Sequence, residues 1–494
     1  LANDADYTIA IGRQAGMDLE GGSDNNTFIG YAAGTQLAFG DENIAIGKMA
    51  LQNPKSGSFN IGIGSQTLRN GNATDANFRG NVALGWAAAR YNVALGTYAG
   101  GALKSGQKNI TIGYGSMRNA GTNGTNIDDS IGIGYETLRA LEKGDGNIAI
   151  GEQAMENTET GSYNIAIGSY ALDQDNKGMA SGTNDHNIAI GQHTGGSLKN
   201  GARNTLIGHG AMSGGGSDGK SITDNTFIGY FSAKAFQTGA NNVVLGAGNA
   251  ALYARSGSKN VVIGYRTAEG SNNVQADLGE ENIFIGHWTA GSSVGAYRNI
   301  GMGYRSLRAS QPGSEYNVGI GHEALGGNVI GEYNIALGEK SQYQNDNGHN
   351  NISIGQKAMY EAGNDGHAIL DNISIGREST RFLENGDHNI AMGYQSFTTA
   401  VSGSYNVLLG ANTADAYVLY EDSVIIGAGA EANATGETNQ IVIGHDAIGK
   451  GSNTAVIGDD NVTDIYMSED VGATLHTGTV SGSATSTGSF GRVQ

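Results

Sequence analysis

Apolar and polar positions alternate along this chain in short bursts, and each burst ends on a glycine. Asn43-Ile44-Ala45-Ile46-Gly47 returns as Asn147-Ile148-Ala149-Ile150-Gly151, as Asn164 to Gly168 and as Asn187 to Gly191. Looser copies fill the spaces between, among them Asn60-Ile61-Gly62-Ile63-Gly64, Asn225-Thr226-Phe227-Ile228-Gly229 and Asn406-Val407-Leu408-Leu409-Gly410. In all, 26 blocks end on glycines that run from Gly12 to Gly458. A period of two with branched residues predicts one short β-strand per block, with Ile44 and Ile46 on one face and Ala45 on the other. The large-residue face is expected to be buried. The more variable middle position (Phe28, Thr111, Ser353) is expected to meet a less demanding neighbour. A pattern that returns at a fixed period of this size means a solenoid or array.

The flanks of the block repeat as well. Gly47, Gly64, Gly151, Gly168 and Gly191 turn the chain, since glycine reaches positive φ at no steric cost. Three residues further on, the side chain is Ala, Ser or Thr everywhere except Asn249 and Asn461. The next residue is usually apolar, as in Leu51, Leu68, Met117, Leu138, Met155 and Leu325. This pair predicts a second short strand whose small residue allows close backbone approach. Asparagine opens 21 of the 26 blocks, the exceptions being Thr8, Ser130, Ser423, Gln440 and Thr454. If blocks stack as parallel strands about 4.8 Å apart, Asn43, Asn60, Asn147, Asn164 and Asn187 belong to a ladder of stacked amides, each bonding the next. That structural explanation takes precedence over a ligand site.

Block glycines most often recur at the interval that separates Gly47 from Gly64. The interval is longer before Gly85, Gly134, Gly191, Gly229, Gly286 and Gly376, and shorter between Gly85 and Gly96. The added residues (70–77, 121–126, 173–177, 214–219) are loop-like, and such insertions belong on one surface of a solenoid. The repetition runs through residues 1–458, followed by a capping segment, 459–471, in which Asp464 to Met467 suggests a final strand. A Ser/Thr/Gly-rich linker, 472–494, follows and reads as leading elsewhere. A start at Leu1 reads as a fragment or processed product, and no signal peptide is visible.

Composition agrees with many tight turns: the 494 residues include 82 glycines and only 2 prolines. The formal charge of −19 argues against nucleic acid as a partner, which would need a basic stripe. Cysteine is absent, which excludes disulfides, thiolate metal sites and a cysteine nucleophile. No run of about 18 apolar residues exists to insert into a membrane. A coil of so few residues has a thin core. Each large side chain contributes roughly 1.5–3 kcal/mol on burial, while ordering each residue costs on the order of 1–2. One roll also buries only one face of an alternating strand. Parallel packing of three chains, a homotrimer, is therefore expected.

No cofactor, metal site or catalytic residue is expected. The glycine-rich blocks do not continue into Gly-Lys-Ser/Thr as a phosphate loop does, and the ten histidines show no paired ligand spacing. Adjacent acids (Asp128/Asp129, Glu280/Glu281, Asp459/Asp460) sit in turns, where solvated carboxylates are the rule, although glycoside hydrolysis needs two about 5–10 Å apart. Tyr31, Tyr114, Tyr135, Tyr230, Tyr265, Tyr304 and Tyr394 share one slot after the block glycine with His209, His287, His322 and His445. Trp86 falls in that row and Trp288 one residue beyond it. Their bland reading is an outward row covering backbone; their functional reading makes Trp86, Trp288, Tyr114, Tyr135 and Tyr230 candidate receptor contacts, rings that stack on sugars.

The Asn-Ile-Ala-Ile-Gly block, with a small residue and a Gly/Asn/Ser turn after it, resembles the head repeat of YadA-like trimeric autotransporter adhesins across Thr8 to Gly458. The resemblance implies an all-β, left-handed parallel β-roll trimerised along its axis. Two features depart from it: the usual repeat is shorter than the one here, and no neck, coiled-coil stalk or membrane-anchor strands follow. The tail, residues 473–492, is similar to segments in tail fibres of marine bacteriophages, where a cleavable C-terminal chaperone domain commonly follows. The leading expectation is an extracellular, non-enzymatic tail-fibre shaft or head in the virion. It would contribute to host attachment through a cell-surface glycan or protein receptor and join other fibre or baseplate proteins. The alternatives are a bacterial trimeric surface adhesin or matrix filament, and a polysaccharide-degrading tailspike.

Overall fold

A computed structural model describes residues 6–465 apart from 21, 53–55, 70–79, 86–91, 102, 104–105, 122–126, 174–183, 197, 199, 215–221, 247, 271–275, 292–294, 310–312, 328–330, 345–346, 364–366, 400 and 416–418. The expected capping strand around Tyr466 and Met467, the 472–494 linker and most of the inserted loops lie outside the described residues. The fold is a parallel β-solenoid, with no helix among the described residues. One parallel sheet of 26 strands runs along it. Successive block strands pair in register whatever the length of chain between them. Ile44–Ile46 pairs residue for residue with Ile61–Ile63, Val82–Leu84 with Val93–Leu95, and Ile165–Ile167 with Ile188–Ile190.

The two strand faces are reversed from the sequence expectation. Ala45, Ala149, Ala166 and Ala189 point into the coil and are fully buried, whereas the flanking isoleucines face outward and stay half-exposed. Ile63, Ile190, Ile320 and Ile443 each keep between 37% and 39% of their surface open. The reason is the narrow bore. Its opposite wall carries Leu51, Leu68, Met117, Leu138 and Met155, all buried, so only small side chains fit in front of them. Around Phe284, which follows Val262 in the stack, the next inward positions are glycines. Phe284 is stacked on Gly301, and Gly301 on Gly319; a Cβ on Gly301 would sit 3.3 Å from the Phe284 ring and 3.1 Å from Leu307.

The expected second strand is not a strand at that position. Met49 and Leu51 are left-handed (φ 58° and 50°), as are Gln66/Leu68, Gln153/Met155 and Glu323/Leu325. The segment is a tight turn whose amides still bond between rungs, as Leu51 N–H does to the Thr67 carbonyl at 2.8 Å. A left-handed leucine costs roughly 1–2 kcal/mol, but burying its side chain contributes about 2–3 kcal/mol, so burial wins. The second ladder lies further on, before many of the asparagines among the described residues. It consists of isolated parallel bridges such as Phe39 to Ser56 and Lys143 to Thr160, and of short strands such as Gly201–Ala202, Ile222–Thr223 and Gly239–Ala240.

The block asparagines whose side chains are described sit at the corner between these two ladders, buried to the last atom or nearly so. Asn43 Oδ1 accepts the backbone N–H of Asn60 at 3.1 Å and its Nδ2 at 2.9 Å. Asn43 Nδ2 donates to Asn26 Oδ1 at 3.0 Å and to the Gly57 carbonyl at 2.8 Å. The same set joins Asn147, Asn164 and Asn187 and continues without a break to Asn406. Serine carries the ladder at two points: Ser130 Oγ accepts the Asn147 N–H at 3.2 Å, and Ser423 Oγ the Gln440 N–H at 3.3 Å. The glycines at the strand ends stack just as closely. Gly47, Gly64, Gly151, Gly168 and Gly191 have φ between 129° and 134°, and a Cβ on any of them would come within 2.7 Å of the carbonyl group stacked on it.

Candidate functional site

Beyond most of the described strands the chain turns a corner that carries the first, second and fifth residues after the block glycine. The first of these rows is open to solvent: Tyr114 is 42% exposed, Tyr135 47% and Tyr230 50%. Tyr114 and Tyr135 stack on each other with centroids 5.5 Å apart and planes within 9°. Tyr230 stacks on His209 at 5.4 Å, and Tyr304 on His322 at 5.1 Å. Such pairs contribute about 0.5–1.5 kcal/mol each. The rungs of Gly151, Gly168, Gly191 and Gly208 separate the Tyr114–Tyr135 pair from Tyr230, so the sequence candidates do not form one site. Trp86 lies outside the described residues.

Trp288 belongs to a different set. It is the second residue after Gly286, left-handed (φ 57°), and its row mates are Arg266 and Arg305 on the rungs before and after. The row of fifth residues runs beside this one. Together they form an edge on which cations lie over rings. Arg118 sits 4.4 Å from the Tyr98 centroid, Lys234 4.6 Å from Phe231, and Arg381 5.7 Å from Tyr360. The Arg266 and Arg305 guanidinium carbons lie 5.1 and 4.8 Å from the Trp288 centroid. Each such contact contributes roughly 0.5–1 kcal/mol at an exposed position. Acids tether several of the cations: Arg266 Nε donates to Glu269 at 2.7 Å, and Arg305 lies 3.5 Å from Glu323. The Glu269 hydrogen bond raises the Arg266 pKa above its ordinary value. Grooves open on this edge among the described residues, one over Tyr170, His193, Phe231 and Lys234, another over Trp288 and its arginines.

The far corner, at the residue preceding the asparagine, carries side chains that pair from rung to rung at several places among the described residues. Lys108 faces Asp129 at 3.4 Å, Arg203 grips Asp224, and Glu281 lies between Lys259 and Arg298. Hydrogen bonds from Lys259 and Arg298 hold the Glu281 carboxyl below its ordinary range. The adjacent acids picked out from the sequence are thus separated in role. Asp129 and Glu281 meet cations, while Asp128 accepts the Gln107 N–H at 2.6 Å. Asp459 binds the backbone and side chain of Asn461, which lowers its carboxyl pKa. These four carboxylates all have structural partners. Among the described residues no three His, Asp or Glu side chains converge as metal ligands.

Two sets of residues escape a reading of the sequence block by block. One is a row of side chains two positions before the asparagines, where Asp24, Asp41, Asp145 and Asp387 accept backbone N–H groups from the preceding rung. Aligning the blocks on their asparagines shows the recurring Asp or Ser there. The other is the Arg266, Arg305 and Arg308 cluster, visible only when the second and fifth positions after the glycine are read as columns. No protein-family model and no curated protein sequence matches the chain.

Proposed function

We propose that this chain is the shaft or head of a trimeric, extracellular fibre, structural and adhesive rather than catalytic, carried on a phage tail and contributing to host attachment. The observation that carries the reading is the outward isoleucine face. Apolar pairs such as Val318 and Ile320, or Ile352 and Ile354, repeat rung after rung and form a half-exposed stripe along the sheet. A stripe of that length marks an interaction surface. Covering the open half of each side chain contributes on the order of 1 kcal/mol. Summed over the rungs, this exceeds the roughly 4–15 kcal/mol that association costs. A parallel copy with the same rise meets the stripe along its whole length, and the resemblance of the block to trimeric adhesin heads supports three copies and a left-handed coil.

Sedimentation equilibrium tests the assembly. The purified chain is expected to have three times the 50.8 kDa chain mass. Ile320→Asp combined with Ile354→Asp is expected to convert the trimer to single chains or aggregates. A monodisperse single chain for the unsubstituted protein would remove the main support for the reading. For the origin of the fibre, antibody raised against the rod should decorate phage tails in electron micrographs; decoration of bacterial surfaces alone would favour the adhesin alternative.

A further inference from the structure

Of the features that the structural role does not absorb, the groove around Trp288 is the most specific. It spans the rungs of Gly264, Gly286 and Gly303 and has a volume of about 220 Å³. Its floor is the Trp288 indole, set between Arg266 and Arg305. Gly291, the fifth residue after Gly286, has no side chain and leaves a gap between Glu269 on one side and Arg308 on the other. On a chain with a formal charge of −19, three arginines here face two acids, Glu269 and Glu323. Lys340 adds a further cation 3.6 Å from Glu323. Arg308 is exposed and forms no ion pair with any described residue.

Both guanidinium groups lie over the indole, and a planar fork of donors suits a carboxylate far better than a point charge does. An aromatic floor flanked by a few fixed polar groups is the ordinary make-up of a small-ligand groove. We propose that this groove is a subsite for a carboxylate-bearing sugar of an acidic polysaccharide. The carboxylate engages Arg308 together with the outward N–H groups of Arg266 or Arg305, and the sugar ring lies along the indole edge. The inference rests on the attachment function proposed above and gives that function a ligand class.

The intact rod can test it with one optical probe. The sequence holds 2 tryptophans, Trp86 and Trp288, so Trp86→Phe makes Trp288 the sole indole reporter. Titration with polyglucuronate oligosaccharides is expected to change Trp288 emission saturably, with an affinity that falls as salt is raised. Neutral dextran oligosaccharides should leave the emission unchanged, and dextran sulfate should bind more weakly than the carboxylated chains. Arg308→Ala should weaken binding at least tenfold without moving the unfolding temperature, and Arg308→Lys should recover only part of it. Equal response to neutral and acidic chains, equal affinity in Arg308→Ala, or no response at all would overturn the inference. Stronger binding of dextran sulfate would replace carboxylate by sulfate and overturn it as well. Adhesion of labelled rods to cells separates the two levels. Adhesion that does not depend on Arg308 leaves attachment standing and removes the subsite; oligosaccharide binding by rods that adhere to no cell does the reverse.

Discussion

Gly168→Ala is expected to destabilise the rod severely, by roughly 4 kcal/mol in each chain. Two effects combine. The backbone at Gly168 has φ near 132°, a region that side chains with a Cβ rarely enter, and the added carbon would lie 2.6 Å from the Gly191 carbonyl oxygen. That oxygen belongs to the next rung's backbone, so relief requires the rungs to part. Gly436→Ala is the matched control. Its φ is also positive, at 80°, but no atom lies within 4 Å of the added carbon, and the expected loss is about 1 kcal/mol. Thermal unfolding of the two variants decides the matter, and similar losses would mean that the close stacking of glycines is not what requires them.

The second large effect is expected in the asparagine ladder. Asn225 Oδ1 accepts both the Asn242 N–H at 3.0 Å and its Nδ2 at 2.9 Å. Asn225 Nδ2 donates to Asn204 Oδ1 at 3.0 Å and the Gly239 carbonyl at 3.1 Å. Leucine at this position supplies none of these partners. A buried N–H left without an acceptor costs about 1–3 kcal/mol, and at least two are left, so Asn225→Leu should lose roughly 3–5 kcal/mol. Serine retains an oxygen at the right place, as Ser130 does for Asn147. With one acceptor kept, Asn225→Ser should lose only about 1–2 kcal/mol. Denaturant titration that ranked leucine at or above serine in stability would show the corner to be held by shape rather than by its amides.

Much of this architecture could be read from the chain, and the exceptions have physical causes. The alternation in Ile44-Ala45-Ile46 identifies which side chains share a face but not which face is inside. The size of the bore decides that, and it depends on how closely Ala50 and Leu51 approach from across the coil. Two rows of small residues, one mid-strand and one after the glycine, are the trace of that narrowness. The left-handed turn at Leu51 leaves no trace at all, because leucine ordinarily avoids that conformation and takes it here only for the burial it gains. At the candidate site, the tyrosine row is visible in the sequence because its members share one offset. Trp288 stands one position away from that row, and its partners Arg266 and Arg305 belong to the preceding and following repeats. Only the stacking of rungs makes them neighbours.

The strict pairing of successive strands has a consequence for how such a rod changes size. Val82–Leu84 and Val93–Leu95 are joined by a short connection and Ile165–Ile167 and Ile188–Ile190 by a long one, yet each pair advances the stack by a single step. Axial reach is thus quantised by the number of blocks and does not depend on the number of residues between them. Deleting one whole block should shorten the particle by about 4.8 Å and leave its cross-section untouched, whereas trimming a connecting loop should leave its length unchanged.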